Sequence, residues 1–287
     1  MCSVMAVVVS YNPILPLLRE NLQALFSQLD RVVLMDNGSQ NIDEVRTLLQ
    51  QFERLQLVEN GENLGLPVNY NRAARIAHDE GFAWLLTMDQ DTIIPDGMID
   101  AFLQYESLEN IAVIGPAIWE VNRASIEEVR AALQNEPYSY VDEFSCISSA
   151  SMNRVDTLLK LGGFDEKLFI DWVDIDYCKN AKVHGYSILR VNSCIARHQI
   201  GDRPEWHRRF LWRTVTLSKY LPPRYYYSNR NQIYYIRKYD LPFSARLVLY
   251  WRTGKWMIKT LLFLPYDPEA LQKIRMTFRG LRDGHRL

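Results

Sequence analysis

Two carboxylates two residues apart, in Asp89-Gln90-Asp91, close the apolar run Trp84-Leu85-Leu86-Thr87-Met88. On a turn, that spacing lets both reach one small site. One can hold a hard divalent cation bridging a diphosphate while the other orients a ribose or sugar hydroxyl. Acidic turn residues are also common without any ligand; delivery from a buried strand is what favours a site here. Asp36, at the end of a second apolar run, stands where a nucleotide-binding α/β fold hydrogen-bonds a nucleoside, although Asp36-Asn37-Gly38 also reads as a plain tight turn. A third group, Asp165, Glu166, Asp171, Asp174 and Asp176, places five acids in 12 residues among large apolar side chains. A partly buried carboxylate facing a cleft is what a general base for a hydroxyl requires. Asp174 and Asp176 would also suit a helix N-terminus.

No G-x-G-x-x-G follows the first apolar run and no G-x-x-x-x-G-K-[ST] occurs, which excludes the dinucleotide fingerprint and the P-loop. Any diphosphate bound here is neutralised by metal and side chains.

These residues need a scaffold that brings turns together. Residues 4–9 form a β-branched apolar run closed by Ser10-Tyr11-Asn12-Pro13, and Leu15, Leu18, Leu22, Leu25 and Leu29 then recur at helical spacing. The pattern repeats with strands at 31–35, 55–59 and 83–88 and helices at 43–53 and 67–80. Alternating strands and helices predict a mostly parallel sheet covered by helices on both faces, with ligands beyond the carboxyl ends of the strands. The turns at 10–12, 36–39, 60–63 and 89–91 all fall at such ends. Further on, the pattern predicts a strand at 111–115, a helix at 124–134, antiparallel elements within 138–152, a helix at 174–184 and a strand at 187–196. Helices are expected at 205–220, 228–239, 243–263 and 267–282.

The chain has 287 residues and a formal net charge of -1, ordinary globular figures that by themselves argue against nucleic acid or membrane as a partner. That average hides a split. Residues 201–287 hold 18 Lys/Arg, 6 Asp/Glu and 17 of the 34 aromatic residues, so they carry +12 and the first 200 residues carry -13. A boundary is expected near 201–204, with a catalytic domain at 1–201 and a basic, aromatic-rich helical extension at 202–287. Tyr225, Tyr226, Tyr234 and Tyr235 read either as core of that extension or, with the Lys/Arg excess and Trp251, Trp256 and Phe263, as a surface for anionic lipid. The four cysteines, Cys2, Cys146, Cys178 and Cys194, have no CxxC spacing and suggest a reducing compartment. No apolar run approaches the roughly 18 to 20 residues of a spanning helix.

Taken in order, Val7-Val8-Val9-Ser10-Tyr11-Asn12, Asp36-Asn37-Gly38-Ser39, Asn63-Leu64-Gly65 with Asn71, Asp89-Gln90-Asp91, and Gly163-Phe164-Asp165-Glu166 to Asp174-Ile175-Asp176 resemble a family 2 glycosyltransferase of the GT-A fold over residues 4–201. Phe169-Ile170-Asp171-Trp172-Val173-Asp174, His198-Gln199-Ile200-Gly201-Asp202 and Arg224-Tyr225-Tyr226-Tyr227-Ser228-Asn229-Arg230-Asn231 are similar to its bacterial rhamnosyltransferase branch. The resemblance implies a Rossmann-like α/β domain with a C-terminal helical extension. It also implies that Ser10, Tyr11, Asp36, Asn63, Asp89, Gln90 and Asp91 bind the nucleotide-sugar donor, and that Asp91 and His198 hold Mg2+ or Mn2+. Asp174 would be the catalytic base, with Asp171 and Asp176 as neighbouring candidates. Asp171, Trp172, Arg224 and Arg230 would meet the acceptor or a phosphate.

The implied reaction is inverting transfer of L-rhamnose from dTDP-rhamnose to a saccharide or lipid-linked saccharide in bacterial cell-surface polysaccharide synthesis, in the cytoplasm and peripheral to the inner membrane. One departure is Ser148-Ser149-Ala150, where the family often has Ser-Gly, and it makes the donor less secure than the reaction. The alternatives are a UDP-hexose or galactofuranose donor, a nucleotidylyltransferase, which the absence of a Gly-rich basic loop after the first strand disfavours, and a non-catalytic membrane-docked subunit. The sequence names neither acceptor, linkage nor oligomeric state.

Overall fold

The computed structural model describes residues 4–121, 123–134, 140–142, 145–199, 205–210, 213–218 and 220–287. Cys2 and the boundary expected at 201–204 lie outside them. The chain divides into two compact units, Met1–Glu166 with Val173–Gly201, and Lys167–Trp172 with Asp202–Leu287.

The first unit runs β1 (Val4–Ser10), α1 (Leu15–Phe26), β2 (Val32–Asp36), α2 (Ile42–Leu49), β3 (Leu55–Glu59), α3 (Leu66–Asp79), β4 (Trp84–Asp89), β5 (Thr92–Ile93), α4 (Met98–Leu103), β6 (Ile111–Glu120), α5 (Ile126–Gln134), β7 (Tyr140–Asp142), β8 (Ser151–Arg154), α6 (Val155–Lys160), α7 (Val173–Val183) and β9 (Ser187–His198). Its sheet has the order β3-β2-β1-β4-β8-β6-β9-β5, with β7 also on β9. The pairs β3/β2, β2/β1, β1/β4 and β6/β9 are parallel. Strand β8 enters antiparallel between β4 and β6, and β5 and β7 lie antiparallel on β9. This is the mostly parallel α/β sheet that the alternating pattern predicts.

Every residue of β1 is buried, as a strand covered on both faces must be. In α1, Leu18, Leu22 and Leu25 are wholly buried at helical spacing and join Val4, Ala6 and Val8 in one core. The six-residue helices α4 and α6 escape sequence reading because they are too short to display a period.

The second unit contains β10 (Glu205–Phe210), β11 (Arg213–Ser218), α8 (Pro222–Lys238), α9 (Phe243–Leu262) and α10 (Ala270–Asp283). Residues 205–220 are therefore not a helix: β10 and β11 pair antiparallel from Glu205↔Ser218 to Phe210↔Arg213. Thr214, Val215 and Thr216 are β-branched, a strand preference that prevails over the helical spacing of Trp206, Phe210 and Leu217. Helix α8 begins six residues before the expected 228, on Pro222 and Pro223, whose fixed φ suits a first helical turn.

Of the four tyrosines read as core, Tyr225 and Tyr235 are buried, whereas Tyr226 and Tyr234 are half-buried. Of the three side chains expected to be available to lipid, Phe263 is buried and Trp256 packs on the Tyr225 ring at 3.6 Å, leaving Trp251 exposed. No described helix is long and apolar enough to cross a membrane.

Candidate active site

Strand register assembles the first side of the site. Ser10 on β1 pairs with Asp36 on β2, and Val9 pairs with Asp89 on β4, so three polar strand ends arrive at one edge. Asp36 is buried, and its carboxylate serves the turn: Oδ1 accepts from Ser10 Oγ at 3.2 Å, while Oδ2 accepts from the Gly38 and Ser39 amides at 3.0 and 2.9 Å. Gly38 has φ 79°, and a Cβ there would stand 2.8 Å from the Glu62 Cα, so only glycine lets the two loops meet. Asn63 Oδ1 accepts from Asn37 Nδ2 and Gly65 N, tying the second loop to the first.

Gln90 does not point its amide at open space. Its Oε1 accepts from Tyr11 N at 2.7 Å and its Nε2 donates to Tyr11 O at 3.3 Å, which holds the loop that presents the exposed Tyr11 ring. Asn21 performs a similar task from α1, donating to the carbonyls of Asp89 and Thr92 at 3.1 and 2.6 Å. Sequence reasoning missed Asn21. A buried Asn beside the leucine stripe was the available signal, because a buried amide must find partners.

Asp89, Asp91 and His198 each offer a ligand atom within 4.8 Å of the others. Sequence analysis assigned Asp91 and His198 to the metal and Asp89 to a hydroxyl; the structure gathers all three. His198 is the last residue of β9, not a residue beyond the strand, and its place is set by pairing with Thr92 on β5. Its Nδ1 lies 2.7 Å from Thr92 Oγ1, which accepts from Ser149 Oγ at 2.7 Å. Asp91 Oδ1 is 3.6 Å from the same Nδ1 and, among the described residues, is buried with no hydrogen-bond donor. Burial, reinforced by the charge of Asp89 and opposed by His198, pushes the Asp91 carboxyl up to about 7. Two crowded carboxylates, one with an orphaned oxygen, and an imidazole suit a Mg2+- or Mn2+-class cation.

Across from this cluster, Tyr70 on α3 is fully buried and donates its hydroxyl to Asp89 Oδ1 at 3.2 Å. Burial first, then the negative charges of Asp89 and Asp174, push that phenol well above its ordinary range. Sequence reasoning did not single out Tyr70. Asp174 is half-buried in the first turn of α7 and accepts from the Ile175 amide at 2.9 Å, whereas Asp176 is buried. Next to Tyr70, Asn71 accepts from Phe164 N and donates to Phe164 O and Glu166 Oε1, fixing the loop that leads to the acidic segment. A Cβ on Gly163 would stand 2.4 Å from Asn71 Oδ1, which explains the glycine.

Asp171, Trp172, Arg224 and Arg230 belong to the second unit. Arg224 pairs with Asp171 Oδ1 at 3.0 Å, and Trp172 lies 5.1 Å from the Tyr235 ring. Phe169, Asp171 and Trp172 all have φ between 62° and 68°, costly for non-glycine residues. Asn231, buried in α8, holds them there: its Nδ2 lies 2.8 Å from the carbonyls of Leu168, Ile170 and Asp171. Arg230 adds a bond to the Leu168 carbonyl at 3.1 Å. These groups are thus engaged with one another.

The profile of the family described as Glycosyl transferase family 2 matches residues 5–157, more than half of the chain. The chain is a family 2 glycosyltransferase. That excludes the non-catalytic reading at the level of family. This glycosyltransferase is 25% identical over 299 residues to the dTDP-rhamnosyl transferase RfbF of Shigella flexneri, covering 99% of this chain and 96% of that one. Among solved structures it is similar to S. aureus TarS 1-349, with TM-score 0.57, 14% identity and coverage of 98% of this chain and 80% of that one. TarS in complex with UDP-GlcNAc gives TM-score 0.57 at 16% identity over 95% and 79%. GalNAc-T7 with UDP, GalNAc and Mn2+ gives TM-score 0.58 at 12% identity, covering 82% of this chain but 47% of that one, so the chain spans about half its length. These likenesses identify the GT-A fold.

Proposed function

We propose that this glycosyltransferase transfers L-rhamnose from dTDP-L-rhamnose, with inversion, to a hydroxyl of a saccharide or lipid-linked saccharide during bacterial cell-surface polysaccharide synthesis. The observation that carries the reading is the Asp89, Asp91 and His198 cluster at the strand ends. The donor assignment draws on the full-length similarity to a dTDP-rhamnosyl transferase.

In this reading Ser10, Tyr11, Asp36 and Asn63 form the nucleoside side, with the exposed Tyr11 ring available for stacking and Gln90 holding its backbone. Asp89, Asp91 and His198 would hold Mg2+ or Mn2+, which would supply positive charge to the leaving diphosphate. Asp174 accepts the proton of the acceptor hydroxyl as that oxygen bonds to the anomeric carbon, and the bond from that carbon to the diphosphate oxygen breaks, releasing dTDP. Of the neighbouring acids, Asp171 is paired to Arg224 and Asp176 is buried, which supports Asp174 as the base. We assign residues 1–201 to the catalytic domain and 202–287 to an extension serving acceptor or membrane. The reaction then takes place at the cytoplasmic face of the inner membrane.

Thermal stabilisation by nucleotide sugars in the presence of Mn2+ tests the donor, because a ligand of the folded state raises its stability. dTDP-rhamnose is expected to stabilise more than UDP-hexoses or UDP-galactofuranose; a preference for a UDP-sugar would overturn the donor assignment. Analysis of product anomers tests inversion.

A further inference from the structure

Helix α9 is amphipathic in the reverse of the usual sense. Its buried residues are Thr253 and Thr260, while Phe243, Leu247, Val248, Trp251, Ile258 and Leu261 are each more than half exposed. Helical spacing gathers Phe243, Leu247, Trp251, Ile258 and Leu261 into one stripe. The inward side is fixed by polar contacts: Thr253 Oγ1 donates to Asn229 Oδ1 and accepts from Gln232 Nε2, both at 3.2 Å, and Trp256 packs on Tyr225. A surface helix normally buries its large apolar side chains and wets its threonines. Here the large side chains face out along 20 residues, about 30 Å of helix.

The charge of the same helix identifies what covers that stripe. It carries Arg246, Arg252, Lys255 and Lys259 and no acidic residue. We propose that the outer face of α9 lies in the interface of a membrane containing anionic phospholipid, with the apolar stripe among the acyl chains and the lysine and arginine heads at the phosphates. Trp251 and the neighbouring exposed Tyr250 are the side-chain types that favour this depth. The helix lies on the membrane and does not span it, since it is not apolar enough to cross. Arg246 is paired with Asp240 at 2.6 Å; a second copy docking by the same face would still set Arg252, Lys255 and Lys259 against the same three cations. The first 200 residues, at -13, are repelled by an anionic surface, so attraction is confined to the basic unit.

The proposal deepens the membrane part of the function above and is independent of the transfer chemistry, because its test uses no donor. The full chain is floated with vesicles of phosphatidylcholine alone or of phosphatidylcholine with phosphatidylglycerol. It is expected to float with the mixed vesicles and not with the neutral ones. Leu247→Glu/Trp251→Glu and, separately, Arg252→Glu/Lys255→Glu should each lower partitioning at least about tenfold, with circular dichroism and unfolding midpoint unchanged because the altered side chains are exposed. Equal flotation of the variants and the parent would overturn the proposal. So would equal flotation with neutral vesicles, or a concentration-dependent dimer that Leu247→Glu/Trp251→Glu dissociates while the parent ignores vesicles. Donor binding that persists in a non-floating protein would leave the transferase reading standing and remove the docking surface alone.

Discussion

Asp91 and Asp171 are both largely buried acids with an oxygen that finds no donor, and they are held in opposite ways. Among the described residues Asp91 sits beside Asp89 with His198 to offset it, and its carboxyl is pushed up to about 7. Asp171 lies against the Arg224 guanidinium in a segment pinned by Asn231. The first arrangement is electrostatically incomplete without a cation; the second is already neutralised. Burial alone therefore does not mark an acid as chemical, because what decides is whether the protein has supplied its counter-charge.

The comparison can be broken most sharply at the base. If Asp174 is the base and the paired Asp171 is structural, Asp174→Asn lowers turnover by about 10²- to 10⁴-fold, with nucleotide affinity nearly unchanged, and Asp171→Asn keeps most of its activity. Steady-state rates and calorimetric titration of dTDP distinguish the two, and an inactive Asp171→Asn beside an active Asp174→Asn would transfer the base to the paired acid.

Next in size is a difference of sign in stability. Asp91→Asn should lower Mn2+ affinity at least about 100-fold yet stabilise the metal-free protein at pH 8 by about 1 to 4 kcal/mol, because it removes a buried charge whose ionisation the fold opposes. Asp171→Asn should destabilise by about 1 kcal/mol through loss of a partly exposed ion pair. Denaturant unfolding without metal measures both, and two shifts of the same sign would erase the distinction.

The pH dependence is a related test. A raised carboxyl pKa means that between about pH 4 and about 7 the folded protein retains a proton the unfolded chain has released. The Asp91 contribution to metal-free stability is thus favourable at the acid end and is lost as pH rises through 7. Apparent Mn2+ affinity should rise over the same window and level off above it, since the cation requires the ionised form. Asp91→Asn should flatten both curves.

The smallest effect concerns Ala150, which is buried with φ 62° where the family often has glycine. The departure noted in sequence is therefore a backbone matter as well as an added methyl. Ala150→Gly relieves left-handed strain but empties a methyl-sized space, two effects of about 1 kcal/mol each, so the unfolding free energy should change by less than about 1 kcal/mol.

Much of the first unit was legible because its strands are mostly apolar and end in polar turns. The Ser10, Asp36 and Asp89 turns followed from that pattern, and β1 pairing brings them to one edge. Residues 205–220 were illegible to the same logic, since aromatic and basic residues there mimic a helix while β10 and β11 pair instead. Tyr70, Asn21 and Asn231 were missed for another reason. Each acts by donating to groups 19 to 71 residues away, a partner that the residue's own position in the pattern does not name.

By itself the sequence determined the α/β alternation, the acidic turn at 89–91, the acidic segment before 176 and the opposed charges of the two parts, because periodicity, composition and motif order are local or additive. Only the tertiary structure decided that His198 joins Asp89 and Asp91, that Asp171 is paired while Asp91 is not, and that α9 turns its large apolar side chains outward. Those are consequences of strand register and helix packing, which bring together residues that the chain keeps apart.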